Sequence, residues 1–181
     1  MKTPLTYGAY TALGNALLVL IAYFLGYHSD PAKLASSQMV MTVAGLAVSI
    51  TGITLGIRAR RTEIAPDVDF SYGRALGAGV LVALFAALFG TVFQLLYQNF
   101  INPDMIDVIM QQQAAAMEAK GLGSQQIEQA QKFMKMMFHP AIQFVTGILF
   151  GTLWGVLVAL VAAAFLKRPA QAPTEEVASG S

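Results

Sequence analysis

The sequence contains no cysteine. Disulfide bonds, thiolate metal sites and cysteine nucleophiles are therefore excluded. Charged residues are scarce as well, because they make up only 12% of the 181 residues, about half the share that is usual in soluble domains. The net charge at pH 7 is +1, which gives no reason to expect a nucleic-acid partner.

The few charges are unevenly distributed, and 56% of the residues are hydrophobic. Four stretches lack Lys, Arg, Asp and Glu altogether: residues 3–29, 34–57, 75–103 and 136–166. Because about 20 apolar residues in a helix cross a hydrocarbon core roughly 30 Å thick, each stretch is long enough to span a membrane. This pattern excludes a soluble globular domain and intrinsic disorder. It predicts an all-α integral membrane protein with four transmembrane helices.

A single membrane domain is predicted over residues 1–168, followed by a disordered cytoplasmic tail over residues 169–181. The four spans are predicted at about residues 5–27, 38–57, 75–101 and 141–166. With the N-terminus inside, the inner face carries Lys2, Arg58, Arg60, Arg61, Arg74, Lys167 and Arg168. The outer face then carries Lys33, Lys120, Lys132 and Lys135. Since Lys and Arg accumulate on the cytoplasmic side, both termini are predicted to lie inside a bacterial inner membrane.

Residues 102–140 form the least apolar part of the membrane domain, between spans three and four. Two amphipathic stripes predict an extracytoplasmic helical hairpin, which lies on the outer leaflet or caps the bundle. Alternatively, its first helix continues the third span as a stalk. The start and stop signals are Asn102 as a cap, Lys120-Gly121 as an end, Ser124 as a second cap and Pro140 as the start of span four.

This outer segment is rich in methionine, with Met134 and Met137 close to His139. Soft thioether ligands select Cu(I), so a copper site is one interpretation. Methionine is also an adaptable apolar residue on contact surfaces, and no repeated Met-x-x-Met series is present. The contact face is favoured, and neither a metal site nor a cofactor is predicted.

The central parts of the spans contain no ionisable residue, which argues against a proton-coupled transporter or pump. The polar residues within the spans are Asn15, Gln94 and Gln143. Their usual role is hydrogen bonding between helices. The alternative is a substrate path lined by Asn15 and Gln94.

Glycines recur at four-residue spacing on two spans, which lets helix backbones approach closely. The residues are Gly52 and Gly56 on span two, and Gly147, Gly151 and Gly155 on span four. The stripes indicate packing within the bundle or, alternatively, a groove for a second copy or another membrane protein. Near the end of span two, Arg58, Arg60 and Arg61 form a cluster that is either only a topology signal or a site for anionic lipid head groups.

Two segments resemble a known family: Phe70-Ser71-Tyr72-Gly73-Arg74-Ala75-Leu76 and Tyr97-Gln98-Asn99-Phe100-Ile101-Asn102-Pro103-Asp104. With four spans and a long outer segment, the chain resembles the domain-of-unknown-function family 4199 over about residues 4–168. The resemblance implies a four-helix bacterial integral membrane protein of uncharacterised function. It supplies no catalytic or ligand-binding residues.

No hydrolase, zinc-protease or P-loop motif occurs in the sequence. The predicted function is therefore that of a non-enzymatic accessory or scaffold protein acting through protein or lipid contacts. Its partners are the lipid bilayer and either a homo-oligomer or a membrane-protein partner. The alternative is a small channel-like or uniport carrier.

Overall fold

A computed structural model describes residues 1–171, and all regular secondary structure in that part of the chain is helical. The helices are α1 (Lys2–Phe24), α2 (Pro31–Thr62), α3 (Tyr72–Leu96), α4 (Met105–Ala119), α5 (Ser124–Met137) and α6 (Pro140–Leu166). A π-helical turn, Tyr97–Ile101, continues α3. Four helices of the described residues are long and apolar enough to cross a membrane: α1, α2, α6, and α3 together with its π-helical turn. The all-α prediction is thus confirmed, whereas most of the predicted tail, residues 172–181, lies outside the described residues.

Helix α3 packs against α1, α2 and α6, and its contacts with α6 and α1 are the most extensive between any two helices of the bundle. Paired contacts show that α1 and α3 run in one direction and that α2 and α6 run in the other. We call the end that carries Arg58, Arg74 and Arg168 the arginine end. The opposite end, which carries α4 and α5, is the hairpin end. A cluster of buried apolar residues lies toward the arginine end and includes Ile57, Phe70, Val82 and Ala159.

The helices do not end where the predicted spans end. Helix α1 stops at Phe24 rather than at residue 27, because Gly26 adopts a φ of +77° that reverses the chain. Helix α2 begins at Pro31, before the predicted span, because the Asp30 carboxylate accepts hydrogen bonds from the backbone N–H groups of Ala32 (2.8 Å) and Lys33 (3.1 Å). Charged residues mark where the chain leaves the hydrocarbon core of the membrane. A helix can continue beyond that point, so the ends of the uncharged stretches differ from the ends of the helices.

The segment between α3 and α6 folds as two helices that pack against the bundle. Asn102 breaks the helix with φ −137° and ψ 76°, so α4 does not continue α3 as the stalk that was considered. Helix α4 instead contacts the start of α2, and α5 contacts α4 and α6. The buried residues of α4 are Met105 and Val108.

Two of the predicted caps in this segment are wrong. Asp104, not Asn102, is the N-cap of α4, because the Asn102 side chain is turned inward to another partner. Gly123, not Ser124, precedes the first turn of α5, and its backbone N–H donates to Gln126 Oε1 at 3.3 Å. The ending of α4 at Lys120-Gly121 and the position of Pro140 in the first turn of α6 are confirmed.

Candidate functional site

The glycines of α6 face α3 of the same chain. A Cβ atom added to Gly147 would lie 2.6 Å from Thr91 Oγ1, and one added to Gly151 would lie 2.9 Å from the Cβ of Ala87. The third glycine, Gly155, makes the same kind of contact with Ala83. The glycine face of α6 is therefore packed against α3 of the same chain.

The glycines of α2 are occupied in the same way. A Cβ atom on Gly52 would overlap the side chain of Thr11 on α1. One on Gly56 would lie 2.6 Å from Val82 Cγ2 and 3.1 Å from the Cβ of Tyr7. The five glycines singled out in the sequence thus hold α1, α2, α3 and α6 together.

Asn15 lies halfway along α1 and links it to α2. Its Nδ2 donates to the Thr11 carbonyl at 3.0 Å and approaches Ser49 Oγ at 3.4 Å, while Ser49 donates to the Gly45 carbonyl at 2.9 Å. A cavity of about 140 Å³ adjoins Thr11, Asn15, Ser49 and Trp154. Its lining combines these side chains with small apolar ones such as Ala83 and Ala87.

Gln94 and Gln143 line a different cavity, of about 200 Å³, between α3 and α6. Thr91 and Thr146 complete its polar lining. The structure thus brings Gln94 together with Gln143 and not with Asn15. The two residues proposed to line one path are found in separate cavities.

The three arginines at the end of α2 have different surroundings. Arg60 forms an ion pair with Glu63, which also accepts a hydrogen bond from Thr3. The hydrogen bond from Thr3, together with Arg60, lowers the pKa of the Glu63 carboxyl. Arg61 Nη1 donates to the Leu166 carbonyl at 3.4 Å. Arg58 is exposed and borders a groove between α2 and α6.

That groove, which we call the α2–α6 groove, has a volume of about 540 Å³. It is lined by Ile50, Thr54, Arg58, Trp154, Leu157, Val158, Val161, Ala162, Phe165 and Leu166. All but two of these side chains, Thr54 and Arg58, are hydrophobic. The groove is therefore an apolar surface with a single cation in its lining, at the arginine end.

A buried polar cluster lies at the hairpin end, where the α1–α2 connection meets the π-helical turn. Tyr97 is fully buried, and its hydroxyl lies 2.6 Å from His28 Nδ1 and 3.0 Å from Asn102 Nδ2. The His28 and Asn102 side chains are also buried. The π-helical bond from Asn102 N–H to the Tyr97 carbonyl, at 2.8 Å, places the two side chains on one side of the turn.

One distribution of hydrogens accounts for both hydrogen bonds of the Tyr97 hydroxyl group. Asn102 donates to the Tyr97 oxygen, and the Tyr97 hydroxyl donates to an unprotonated Nδ1 of His28. Burial lowers the pKa of His28, which favours the neutral imidazole. Protonation would turn Nδ1 into a donor and leave the Tyr97 hydroxyl hydrogen without its acceptor.

The sequence interpretation did not bring these residues together. It treated Asn102 only as a helix cap. The available signal was in the predicted span ends: His28 directly follows span one, Tyr97 lies near the end of span three and Asn102 directly follows that span.

A copper site was one interpretation of Met134, Met137 and His139. Met134 and Met137 are half-buried, whereas His139 is exposed. Within residues 1–171, no three His, Asp or Glu side chains are grouped closely enough to hold a metal ion.

Comparison with known families assigns the chain to one of them. The profile of the family described as "Protein of unknown function (DUF4199)" matches residues 6–168. The chain belongs to the DUF4199 family. The resemblance stated from the sequence is therefore confirmed, and the DUF4199 match includes the buried cluster, both cavities and the α2–α6 groove. No curated protein and no solved structure matches the chain.

Proposed function

We propose that this DUF4199 protein is a non-enzymatic accessory or scaffold protein of the bacterial inner membrane. It acts through contacts with lipid and with other membrane proteins. The observation that carries this proposal is the use of the close-packing glycines inside the bundle, which leaves an outer surface of large apolar side chains such as Leu17, Val145 and Phe165. Such a surface suits lipid and flat protein contacts.

The polar groups of the spans support the same proposal. Asn15 and Ser49 are bonded to neighbouring backbone and side-chain groups, and the ionisable groups of residues 1–171 lie toward the two ends of the bundle. Proton relays and ion paths place ionisable residues within the spans. Asn15 and Ser49 therefore have a structural use that requires no transported ligand.

The proposed orientation places the arginine end in the cytoplasm and the hairpin outside, following the distribution of Lys and Arg. Because the chain has no cysteine, single cysteines report this orientation directly. Asp67→Cys and Ser124→Cys are suitable positions, since both side chains are exposed at opposite ends. A membrane-impermeant maleimide added to intact cells should label Ser124→Cys alone; labelling of both variants would contradict the orientation.

The function is tested by purifying the tagged protein from its native membrane in mild detergent and reconstituting part of it into vesicles. We expect a stoichiometric membrane-protein partner or tightly bound phospholipid, and vesicles no more permeable than empty ones. Solute flux above that background would contradict the accessory function.

The second candidate function is a channel-like or uniport carrier, and one observation favours it. The cavity of about 140 Å³ beside Asn15 lies at the middle of the bundle, where transporters hold their substrates. If the protein is a carrier, flux should be abolished by Asn15→Leu and retained in Gln143→Leu, since Gln143 lines a separate cavity.

A further inference from the structure

We propose that the α2–α6 groove binds one anionic phospholipid, with an acyl chain along the groove and the phosphate between Arg58 and Arg61. The inference rests on the proposed function, because it names the class of lipid with which the protein makes contact. It also divides the arginine cluster, since it assigns the phosphate to Arg58 and Arg61 and not to Arg60.

The groove has the shape and chemistry that an acyl chain requires. Its volume is about 540 Å³, and its walls are aliphatic and aromatic side chains of α2 and α6. On α2 the lining runs from Ile50 to Arg58, which is about 12 Å along a helix axis. The groove therefore leads from the middle of the bundle to the arginine end, in the direction that an acyl chain follows from its head group.

Positive charge converges where the groove reaches the arginine end. Arg58 lines the groove, and Arg61 lies one helical turn further along α2. Arg61 donates to the carbonyl of Leu166, another lining residue, and Lys167 follows directly. Guanidinium groups match phosphate oxygens through paired hydrogen bonds.

In the described part of the chain, no acidic side chain forms a salt bridge with Arg58 or Arg61. The salt bridges there are Arg60–Glu63 and Lys132–Glu128. Arg60 lies beside a different hollow, which includes Met1, Pro4 and Phe70. It is therefore engaged elsewhere, and its similar charge makes it a matched control.

The combination of charge and groove selects a lipid over other anions. An acidic peptide or a free phosphate would use the arginines but would leave the apolar length of the groove empty. An anionic phospholipid fills both parts and is supplied by the surrounding membrane. Juxtamembrane Arg and Lys residues attract such lipids by about 1 kcal/mol each.

The protein contains its own reporter for this site. Trp154 is the single tryptophan of the chain and lines the groove. The full chain is reconstituted into phosphatidylcholine vesicles that contain either brominated phosphatidylglycerol or brominated phosphatidylcholine, whose bromines quench tryptophan on contact. We expect brominated phosphatidylglycerol to quench Trp154 at several-fold lower mole fraction than brominated phosphatidylcholine.

The variants separate the two parts of the site. Arg58→Gln and Arg61→Gln should each reduce the preference for phosphatidylglycerol by about fivefold, the factor that corresponds to about 1 kcal/mol. Arg60→Gln should retain the preference. Ala162→Leu, which narrows the groove without changing its charge, should reduce Trp154 quenching by both brominated lipids and abolish the preference. Glycerol 1-phosphate in solution should not compete.

Several results would overturn the inference. One is equal quenching by the two brominated lipids. Another is a loss of phosphatidylglycerol preference in Arg60→Gln as large as in Arg58→Gln and Arg61→Gln. The third is competition by glycerol 1-phosphate. The flux assay is independent of these results. If the protein shows no preference for phosphatidylglycerol and no flux is detected, the lipid site is disproved but the accessory function is not. If flux is detected, the accessory function itself is contradicted.

Discussion

Gly155 of α6 packs directly against Ala83 of α3. A Cβ atom added to Gly155 would lie 2.2 Å from the Cβ of Ala83 and 3.3 Å from its Cα. Neither position is the end of a flexible side chain, so the helices themselves would have to separate. The contact explains why the glycine stripe of α6 is needed within the bundle.

We expect Gly155→Ala to destabilise the protein by about 1–3 kcal/mol, the usual cost of inserting a methyl group into a closely packed contact. The free energy of unfolding can be measured by denaturant titration of the protein in mixed detergent micelles.

Gly90→Ala is the matched control. Gly90 lies within α3, the other helix of the pair, and a Cβ atom added there meets nothing within 4 Å. Its replacement should leave stability unchanged or raise it by up to about 1 kcal/mol, because alanine favours helix more than glycine does. Equal losses in the two variants would show that the contact with Ala83 does not limit the packing.

The fold was largely predictable because it depends on residue patterns that act locally. Uncharged runs of membrane length mark the four long helices, and Lys120-Gly121 marks a helix end. Contact partners were not predictable in this way. The four-residue spacing of Gly147, Gly151 and Gly155 identifies a face of α6, but the matching face of α3 includes alanine and threonine, which are common in any span.

The buried cluster was harder to predict because its members are distant in the sequence. His28 and Tyr97 are 69 residues apart, and each has an ordinary local explanation in a membrane protein. The π-helical turn is also decisive, since it turns Asn102 inward instead of leaving it to cap α4. Single-residue rules for caps and aromatic belts do not register such a contact.

The burial of His28 makes stability depend on pH. Its pKa in the folded protein is below the ordinary value of 6.5, so the unfolded chain takes up the proton first as the pH falls. Its contribution to stability is complete above pH 6.5 and declines as the pH falls toward the lowered pKa. The midpoint of thermal unfolding should therefore decrease between pH 7.5 and pH 5.5.

His28→Gln should reduce this decrease, because glutamine fills a similar space and does not titrate. His139→Gln should retain it, since His139 is exposed. A pH dependence that persists unchanged in His28→Gln would assign the effect to other groups.

Arg168 fastens the loop between α2 and α3 to the end of α6. Its Nη2 donates to the carbonyls of Ile64 (3.0 Å) and Ala65 (2.9 Å), and its backbone pairs with Phe70. Arg168→Gln should raise the rate of cleavage at Asp67 by an aspartate-specific protease about tenfold, since loss of these bonds costs about 1–2 kcal/mol.

Lys167→Gln tests whether this effect comes only from the loss of positive charge. Lys167 is the neighbouring cation, it is exposed, and its side chain donates no hydrogen bond within residues 1–171. Cleavage should proceed at the wild-type rate in this variant. Equal acceleration in both variants would mean that the Arg168 hydrogen bonds do not hold the loop.

Tyr97→Phe removes the hydroxyl group that His28 and Asn102 share. Both side chains are buried, so each loses a partner that water does not readily replace, and we expect a loss of about 1–3 kcal/mol in unfolding free energy. Tyr23→Phe is the control, because the Tyr23 ring packs edge-on against Tyr97 at 5.9 Å while its hydroxyl is outside the cluster. Its cost should stay within about 0.5 kcal/mol.

Because a hydrogen bond joins His28 and Tyr97, the double variant His28→Gln/Tyr97→Phe should lose less unfolding free energy than the sum of the two single variants. Strict additivity would show that the two residues do not act as a unit.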